Sequence, residues 1–177
     1  PKNRKEWRKW LSKNFSTEKE VWVAIPKNNK TMEYNDIIEE ALCFKWIDST
    51  LKTLDAKHTA QRMSPRRAKG RFSQLNIERL SLLLEQELVH PLFKPELERI
   101  VNTPFVFPKD ILAAIKGDKE AWKHYQAFSG SYKRIRISSI ETARDDKELF
   151  QKRLDTFVDN CRKNKLMKGG SGWDKYY

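Results

Sequence analysis

The sequence predicts an α+β fold: a small, mostly antiparallel sheet with flanking helices, followed by a C-terminal helical subdomain. In residues 1–90, helical periodicity alternates with short runs of β-branched and aromatic residues. Beyond Phe107 every segment has helical spacing, and the short connections are typical of antiparallel helices. We therefore divide the chain into an α+β domain over 1–90, a helical region over 91–168 and a flexible tail over 169–177.

Apolar spacing places the first elements. Trp7, Trp10 and Leu11 recur at helical intervals with basic residues between them, which predicts an amphipathic helix over 4–14. The run 21–25 is β-branched and aromatic and predicts a strand that ends at a proline.

A helix, a hairpin and a second helix follow. The spacing of apolar residues predicts a helix over 34–45, and two strands over 46–52 and 58–63. The hairpin alternates poorly, so one face of the sheet is expected to be polar. Ser73 is the expected N-cap of a leucine-rich helix.

The C-terminal region begins after a proline-containing linker at 90–95. Its helices carry apolar stripes, and Pro108 suits a first helical turn. The tail is unexpectedly aromatic, with side chains that can dock on the body: Trp173, Tyr176 and Tyr177.

The charge balance favours an anionic partner. The chain has 36 basic and 24 acidic residues and a formal net charge of +12. Nucleic acid, an acidic protein or a phosphorylated ligand would suit this charge. The alternative is a basic face that is simply solvated.

The cysteines and the termini bear on the compartment. Cys43 and Cys161 lie in apolar helical contexts, so we expect both to be reduced, in the cytoplasm. No run of 18 apolar residues exists, so no membrane insertion is expected. The basic N-terminus lacks an apolar core and does not resemble a signal peptide. Because the chain begins without Met, residues can precede Pro1.

Motifs for enzymatic chemistry are lacking. The three histidines and two cysteines do not fall at metal-ligand spacing, so we predict no metal. There is no phosphate-binding glycine loop and no nucleophile elbow. We predict no cofactor and no catalytic residue, and we favour a non-enzymatic role without deciding the question.

A basic segment is the strongest candidate for a binding site. It contains five cations: Arg62, Arg66, Arg67, Lys69 and Arg71. Arginine forks suit phosphate or carboxylate groups. Their counterpart is either external, such as a nucleic-acid backbone, or internal, from acids nearby in sequence: Asp36, Glu39, Glu40 and Asp48.

Two further sites are weaker. Asp48 is unusual in a strand, and the alternative function is a small-molecule-binding protein or an enzyme with a pocket around Trp46, Asp48 and Arg66. Asp48 can instead be an anchor paired with an arginine. A second basic surface, predicted to face solvent, comprises Lys133, Arg134 and Arg136.

Several motifs resemble the YdeI/OmpD-associated family of bacterial proteins, also described as bacteriocin-protection proteins. The pattern E-E-A-L-C-F-x-W-I-D-S stands at 39–49, and R-x-S-P-R-R-x-K-x-x-x-S-x-x-N stands at 62–76. F-P-K-D-I at 107–111 resembles the opening of the family's C-terminal helices, which 131–134 and 140–144 continue.

The resemblance covers roughly residues 6–165. It implies a bacterial protein linked to the envelope, to stress or to bacteriocin protection, and it supplies no established reaction. Where the family usually has glycine this chain has Lys45, and glycine there would suit a positive φ.

Overall fold

The computed structural model confirms the α+β class. It describes residues 1–26, 32–67, 70–170 and 172–177. The described chain forms two compact units, and the first consists of Pro1–Phe72 and Arg79–Asn102. The second consists of Ser73–Glu78 and Thr103–Tyr177. The domain boundary that we place at residue 90 stays a prediction.

The elements match the predicted order. The strands are β1 (Val21–Pro26), β2 (Trp46–Thr53) and β3 (His58–Pro65). The helices are α1 (Arg4–Asn14), α2 (Tyr34–Cys43), α3 (Gln74–Glu85), α4 (Lys94–Val101), α5 (Lys109–Lys116), α6 (Lys119–Ala127), α7 (Gly130–Glu141) and α8 (Lys147–Arg162). A short 3-10 helix, Trp173–Tyr176, follows near the C-terminus.

The sheet has the order β1-β3-β2, and both pairings are antiparallel. β3 therefore lies in the centre. Trp46 pairs with Pro65, and Asp48 pairs with Met63. A register irregularity follows Asp48 in β2. The residues of β2 after Asp48 are exposed on both faces of the strand, and they include Leu51.

The first unit is held together by a core of aromatic and aliphatic side chains. Trp7 and Leu11 of α1 are buried against the apolar face of α2, which includes Ile37 and Leu42. The indole of Trp7 donates a hydrogen bond to the carbonyl of Ile37 at 3.1 Å. The amphipathic spacing of α1 thus serves to dock it on α2.

The turn between α2 and β2 has a backbone conformation that suits the glycine expected there from the family resemblance. Lys45 has a φ of 58°, in the left-handed region that favours glycine. Its ammonium group pairs with Glu96 at 2.6 Å. The backbone here therefore needs the conformation that glycine would supply, and lysine occupies it at some cost.

The second unit packs its helices around a separate core. Ile111, Ile115, Tyr132 and Phe157 are among its buried residues. Side-chain caps begin its helices, and Ser129 accepts a hydrogen bond from the backbone of Tyr132 at 3.1 Å.

The C-terminal segment carries structure that the predicted flexible tail does not anticipate. Its last helical turn buries Tyr176 and packs Tyr177 against the core of the second unit. The aromatic residues of this segment dock, as their composition suggests.

Along the described ranges, none of the helices combines the length and the apolar character that crossing a bilayer requires.

Candidate functional site

The basic segment starts in β3 and continues beyond its end. The backbone N–H of Arg66 donates to the carbonyl of Lys45 at 2.9 Å, which extends the contact between β3 and the start of β2 by one step. Arg66 is thereby anchored at the end of the sheet, where α2 passes into β2.

Arg66 is buried, with 8% of its surface exposed. Its Nη1 donates to the carbonyl of Arg71 at 2.9 Å, and its guanidinium lies 3.9 Å from the centre of the Phe72 ring. Its Nε and Nη2 are buried and have no hydrogen-bond partner within the described part of the chain. These two nitrogens form one edge of the guanidinium fork, the edge that binds a carboxylate or phosphate with two hydrogen bonds.

The charge state of Arg66 is not in question. Burial lowers the pKa of Arg66 from its ordinary value, and the negative charge of Asp48 opposes this. An arginine remains protonated despite such shifts. The site therefore presents a permanent positive charge with two unused donors.

Asp48 is half-buried and engaged elsewhere. Its Oδ2 accepts a hydrogen bond of 2.6 Å from the hydroxyl of Tyr34. Burial raises the pKa of Tyr34, and this hydrogen bond raises it further. Asp48 thus acts on Arg66 through its charge while leaving the Nε and Nη2 of Arg66 without a hydrogen bond.

The other cations of the segment differ in their surroundings. Arg62 pairs with Glu20, its Nε lying 3.0 Å from the carboxylate, and also reaches Ser49 at 3.2 Å. Arg67 and Arg71 are exposed, and within the described ranges neither forms an ion pair. Lys69 lies outside the described residues.

The internal counterparts expected from sequence proximity are already paired with another element. Arg4 donates to Asp36, Glu39 and Glu40 at 3.0, 2.7 and 2.6 Å, and Arg8 donates to Glu40 at 2.7 Å. Burial lowers the pKa of Arg4, but the carboxylates raise it overall. Of the possible internal counterparts, these three acids therefore pair with Arg4 and Arg8 instead, because α1 packs on α2 and delivers its own arginines.

Sequence reasoning missed the roles of Arg4 and Arg8. The available signal was their spacing of one helical turn on α1, next to the buried Trp7 and Leu11. Cations beside a buried stripe are placed to reach acids on the neighbouring helix.

Trp46 belongs to the core. Only 1% of its surface is exposed, and its indole N–H donates to the carbonyl of Phe15 at 3.1 Å. The ring of Trp10 meets it edge-on at a centroid distance of 5.8 Å. Of the predicted pocket, Asp48 and Arg66 remain as residues with polar groups near the sheet end.

The cations of the predicted second basic surface already have partners within the second unit. Arg134 forms a bidentate pair with Glu78, with both distances at 2.7 Å. Arg136 is buried, and its Nη2 donates to the carbonyl of Met167 and to the hydroxyl of Tyr177. The expectation that these two cations face solvent is wrong, because one meets a buried acid and the C-terminal segment covers the other.

Lys133 is half-buried beside them. Its ammonium group donates to the carbonyl of Gln126 at 2.8 Å and lies 5.1 Å from the Tyr125 ring. Burial lowers the pKa of Lys133.

Residues with metal-binding or nucleophilic chemistry are not assembled. In the described part of the chain, no cluster of three His, Cys, Asp or Glu side chains could hold a metal ion. Burial raises the pKa of Cys43 and of Cys161, each to about 12. Both thiols are therefore protonated at neutral pH, and a protonated thiol is a poor nucleophile.

The family comparisons divide the chain in two. Residues 1–94 match the family described as "Domain of unknown function (DUF8412)". Residues 104–164 match "Bacteriocin-protection, YdeI or OmpD-Associated". The second match confirms the recognised family and falls on the motifs at 107–114 and 131–144. The motifs at 39–49 and 62–76, which carried most of the resemblance, lie within the first match.

No curated protein and no solved structure matches the chain. The fold and the site define a two-unit α+β protein with a cationic segment at the end of its sheet. The chain belongs to the DUF8412 family, whose model covers more than half of it, and residues 104–164 are similar to the YdeI/OmpD-associated family.

Proposed function

We propose that this protein is a non-enzymatic binding protein that recognises an anionic partner through Arg66, Arg67 and Arg71, the cationic surface. The observation that carries the proposal is the buried Arg66, whose Nε and Nη2 have no hydrogen-bond partner among the residues that the structure describes. Leaving two such donors unsatisfied is costly, and a phosphate or carboxylate would satisfy both once the groups that cover them move aside.

Two features support an external partner. The acids of α2 are held by Arg4 and Arg8, so they are not available to the cationic surface. Arg67 and Arg71 add exposed positive charge close in sequence to the Arg66 fork. Nucleic acid is the partner that we favour, since the net charge of +12 would attract its phosphate backbone.

Location and biological role are parts of the same proposal. Two free, buried cysteines support a reducing cytoplasm of a bacterial cell. The description of the matched C-terminal family supports a role in stress or bacteriocin protection. Survival of cells exposed to a bacteriocin, with wild-type protein or with an Arg67→Ala/Arg71→Ala variant, tests that role.

Fluorescence anisotropy with labelled single-stranded and duplex DNA tests the binding itself. We expect binding at low salt that weakens as salt rises, because cations released from phosphates drive association. The Arg67→Ala/Arg71→Ala variant should bind at least tenfold more weakly, since hydrogen bonds to charged groups are worth about 1.5–3 kcal/mol each. On duplex DNA its salt slope should fall by about 0.9 for each phosphate that the protein no longer neutralises.

The matched control is Lys9→Ala/Lys57→Ala, which removes the same charge from exposed positions elsewhere in the first unit. It should lower affinity much less. Equal losses in the two variants would mean that only net charge matters, and absence of binding at low salt would contradict the nucleic-acid proposal.

The second candidate is a site for a small anion at Asp48 and Arg66, the two residues of the predicted Trp46 pocket whose polar groups lie near the end of the sheet. It is favoured by the same unpartnered fork of Arg66. Titration with inorganic phosphate, followed by NMR shifts of the Arg66 Nε–H, separates the two. Saturation by phosphate without any DNA binding would select the small-anion role.

A further inference from the structure

The second unit contains a pocket that neither family match assigns. Its volume is about 270 Å³, and it lies between α7, α8 and Met167. A water molecule in the liquid occupies about 30 Å³, so the space corresponds to roughly nine waters. That is room for a small organic molecule and too little for a nucleotide or a peptide.

The floor of the pocket is apolar. Ile140 and Phe157 are buried core residues that line it, and Met167 contributes from the C-terminal segment. Leu149 lines it as well and is 37% exposed. An apolar ligand body would cover this surface and remove it from water.

The polar part of the lining is cationic. Arg136, Lys152 and Arg153 line the pocket, and none of its nine lining residues is acidic. Arg153 is partly occupied, since its Nη1 donates to the carbonyl of Ser139 at 2.6 Å and to Thr142 at 3.0 Å. Lys152 is exposed.

Arg136 is the built element of the site. It is 7% exposed, and three aromatic rings surround its guanidinium, those of Tyr132, Trp173 and Tyr177, at 5.2–5.6 Å. Its Nε is buried and, among the described residues, has no hydrogen-bond partner. The arginine is thus fixed in place, and its positive charge lies at the wall of the pocket.

We propose that this pocket binds a small organic monoanion with an apolar body, such as a medium-chain carboxylate. The carboxylate pairs with Arg136 and Lys152, and the hydrocarbon lies over Ile140, Leu149 and Phe157. The volume limits the ligand to about ten non-hydrogen atoms, the size of octanoate. The site is independent of the cationic surface in the first unit.

A titration followed by ¹H–¹⁵N NMR tests this, with octanoate, octan-1-ol and acetate as probes. Octanoate should saturate and shift Arg136 Nε–H and the amides of α7 and α8. Octan-1-ol should bind at least tenfold more weakly because it lacks the charge, and acetate should not saturate. From butanoate to octanoate, affinity should rise about fourfold per methylene and then level off.

Two variants keep the test specific. Lys152→Met should weaken octanoate at least threefold, whereas Lys147→Met, on the same helix and outside the lining, should not. Thr156→Trp should fill the pocket and abolish binding, whereas Gln151→Trp places the same ring outside the lining. Equal affinity for octanoate and octan-1-ol, or unchanged binding in Thr156→Trp, would overturn the proposal.

Discussion

Two arginine sites in the first unit, Arg4 with Arg8 and Arg66 alone, differ in how far the fold satisfies their guanidinium groups. Arg4 and Arg8 meet three carboxylates, and Glu40 is shared between them with both of its oxygens bonded. Arg66 is more deeply buried, and within the described ranges its guanidinium group contacts one carbonyl and one aromatic ring. The first group is electrostatically complete and serves the fold, whereas the second leaves donors that the fold does not use.

The largest effect on stability is expected from replacing Arg4 and Arg8, the arginines whose charges are paired. In an Arg4→Met/Arg8→Met variant, the carboxylate of Glu40 remains buried without the two cations that it pairs with. Leaving a buried charge unpaired costs about 3–5 kcal/mol, so the free energy of unfolding should fall by about 3 kcal/mol or more. Urea denaturation measures it.

The control for that change is Lys5→Met/Lys9→Met, on the same helix but at exposed positions. It should change the free energy of unfolding by less than about 0.5 kcal/mol. If both variants lose the same stability, the cluster contributes nothing beyond the charge of α1.

A smaller effect, of opposite sign, is expected at Arg66. Arg66→Met removes two unsatisfied donors, at about 1–3 kcal/mol each, together with one hydrogen bond and the stacking on Phe72, each worth about 1 kcal/mol. The free energy of unfolding should therefore stay unchanged or rise, by about 0–4 kcal/mol, while affinity for DNA or phosphate disappears.

Thermal and urea unfolding, run beside the anisotropy assay, check both halves of this expectation. A loss of stability above about 2 kcal/mol would make Arg66 a structural residue, because the fold would then depend on it. Retained anion binding would contradict its proposed role.

The fold was predictable where local pattern decides it. The periodicity of α1 and α2, the β-branched runs of the three strands and the serine cap of α3 all depend on neighbours in sequence. Ser73 accepts a hydrogen bond from the Asn76 backbone as its position predicts.

Charge pairing was not predictable, because it depends on which helix packs alongside. The acids of α2 meet arginines at least 32 positions away in sequence, whereas the described cations of the basic segment, although closer in sequence, form no ion pair with them. Arg136 shows the same limit: its helical position suggests exposure, but the docked C-terminal segment covers it. Composition singled out Arg66 as a candidate, but which of its donors lack a partner depends on how the chain packs around it.

The smallest effect concerns the charge of Asp48 on the neighbouring Arg66. Asp48→Asn removes a negative charge that would repel an incoming phosphate, and it keeps the size of the side chain. Affinity for DNA should rise about threefold (~0.7 kcal/mol), a modest gain because solvent screens half-buried charges.

Tyr34→Phe is the matched control, since it deletes the 2.6 Å hydrogen bond to Asp48 but leaves its charge. That variant should lose about 1 kcal/mol of stability at unchanged affinity. If Asp48→Asn weakens DNA binding instead, Asp48 positions Arg66 for its partner. The Arg66 site would then depend on an acid of the fold, as Arg4 and Arg8 do.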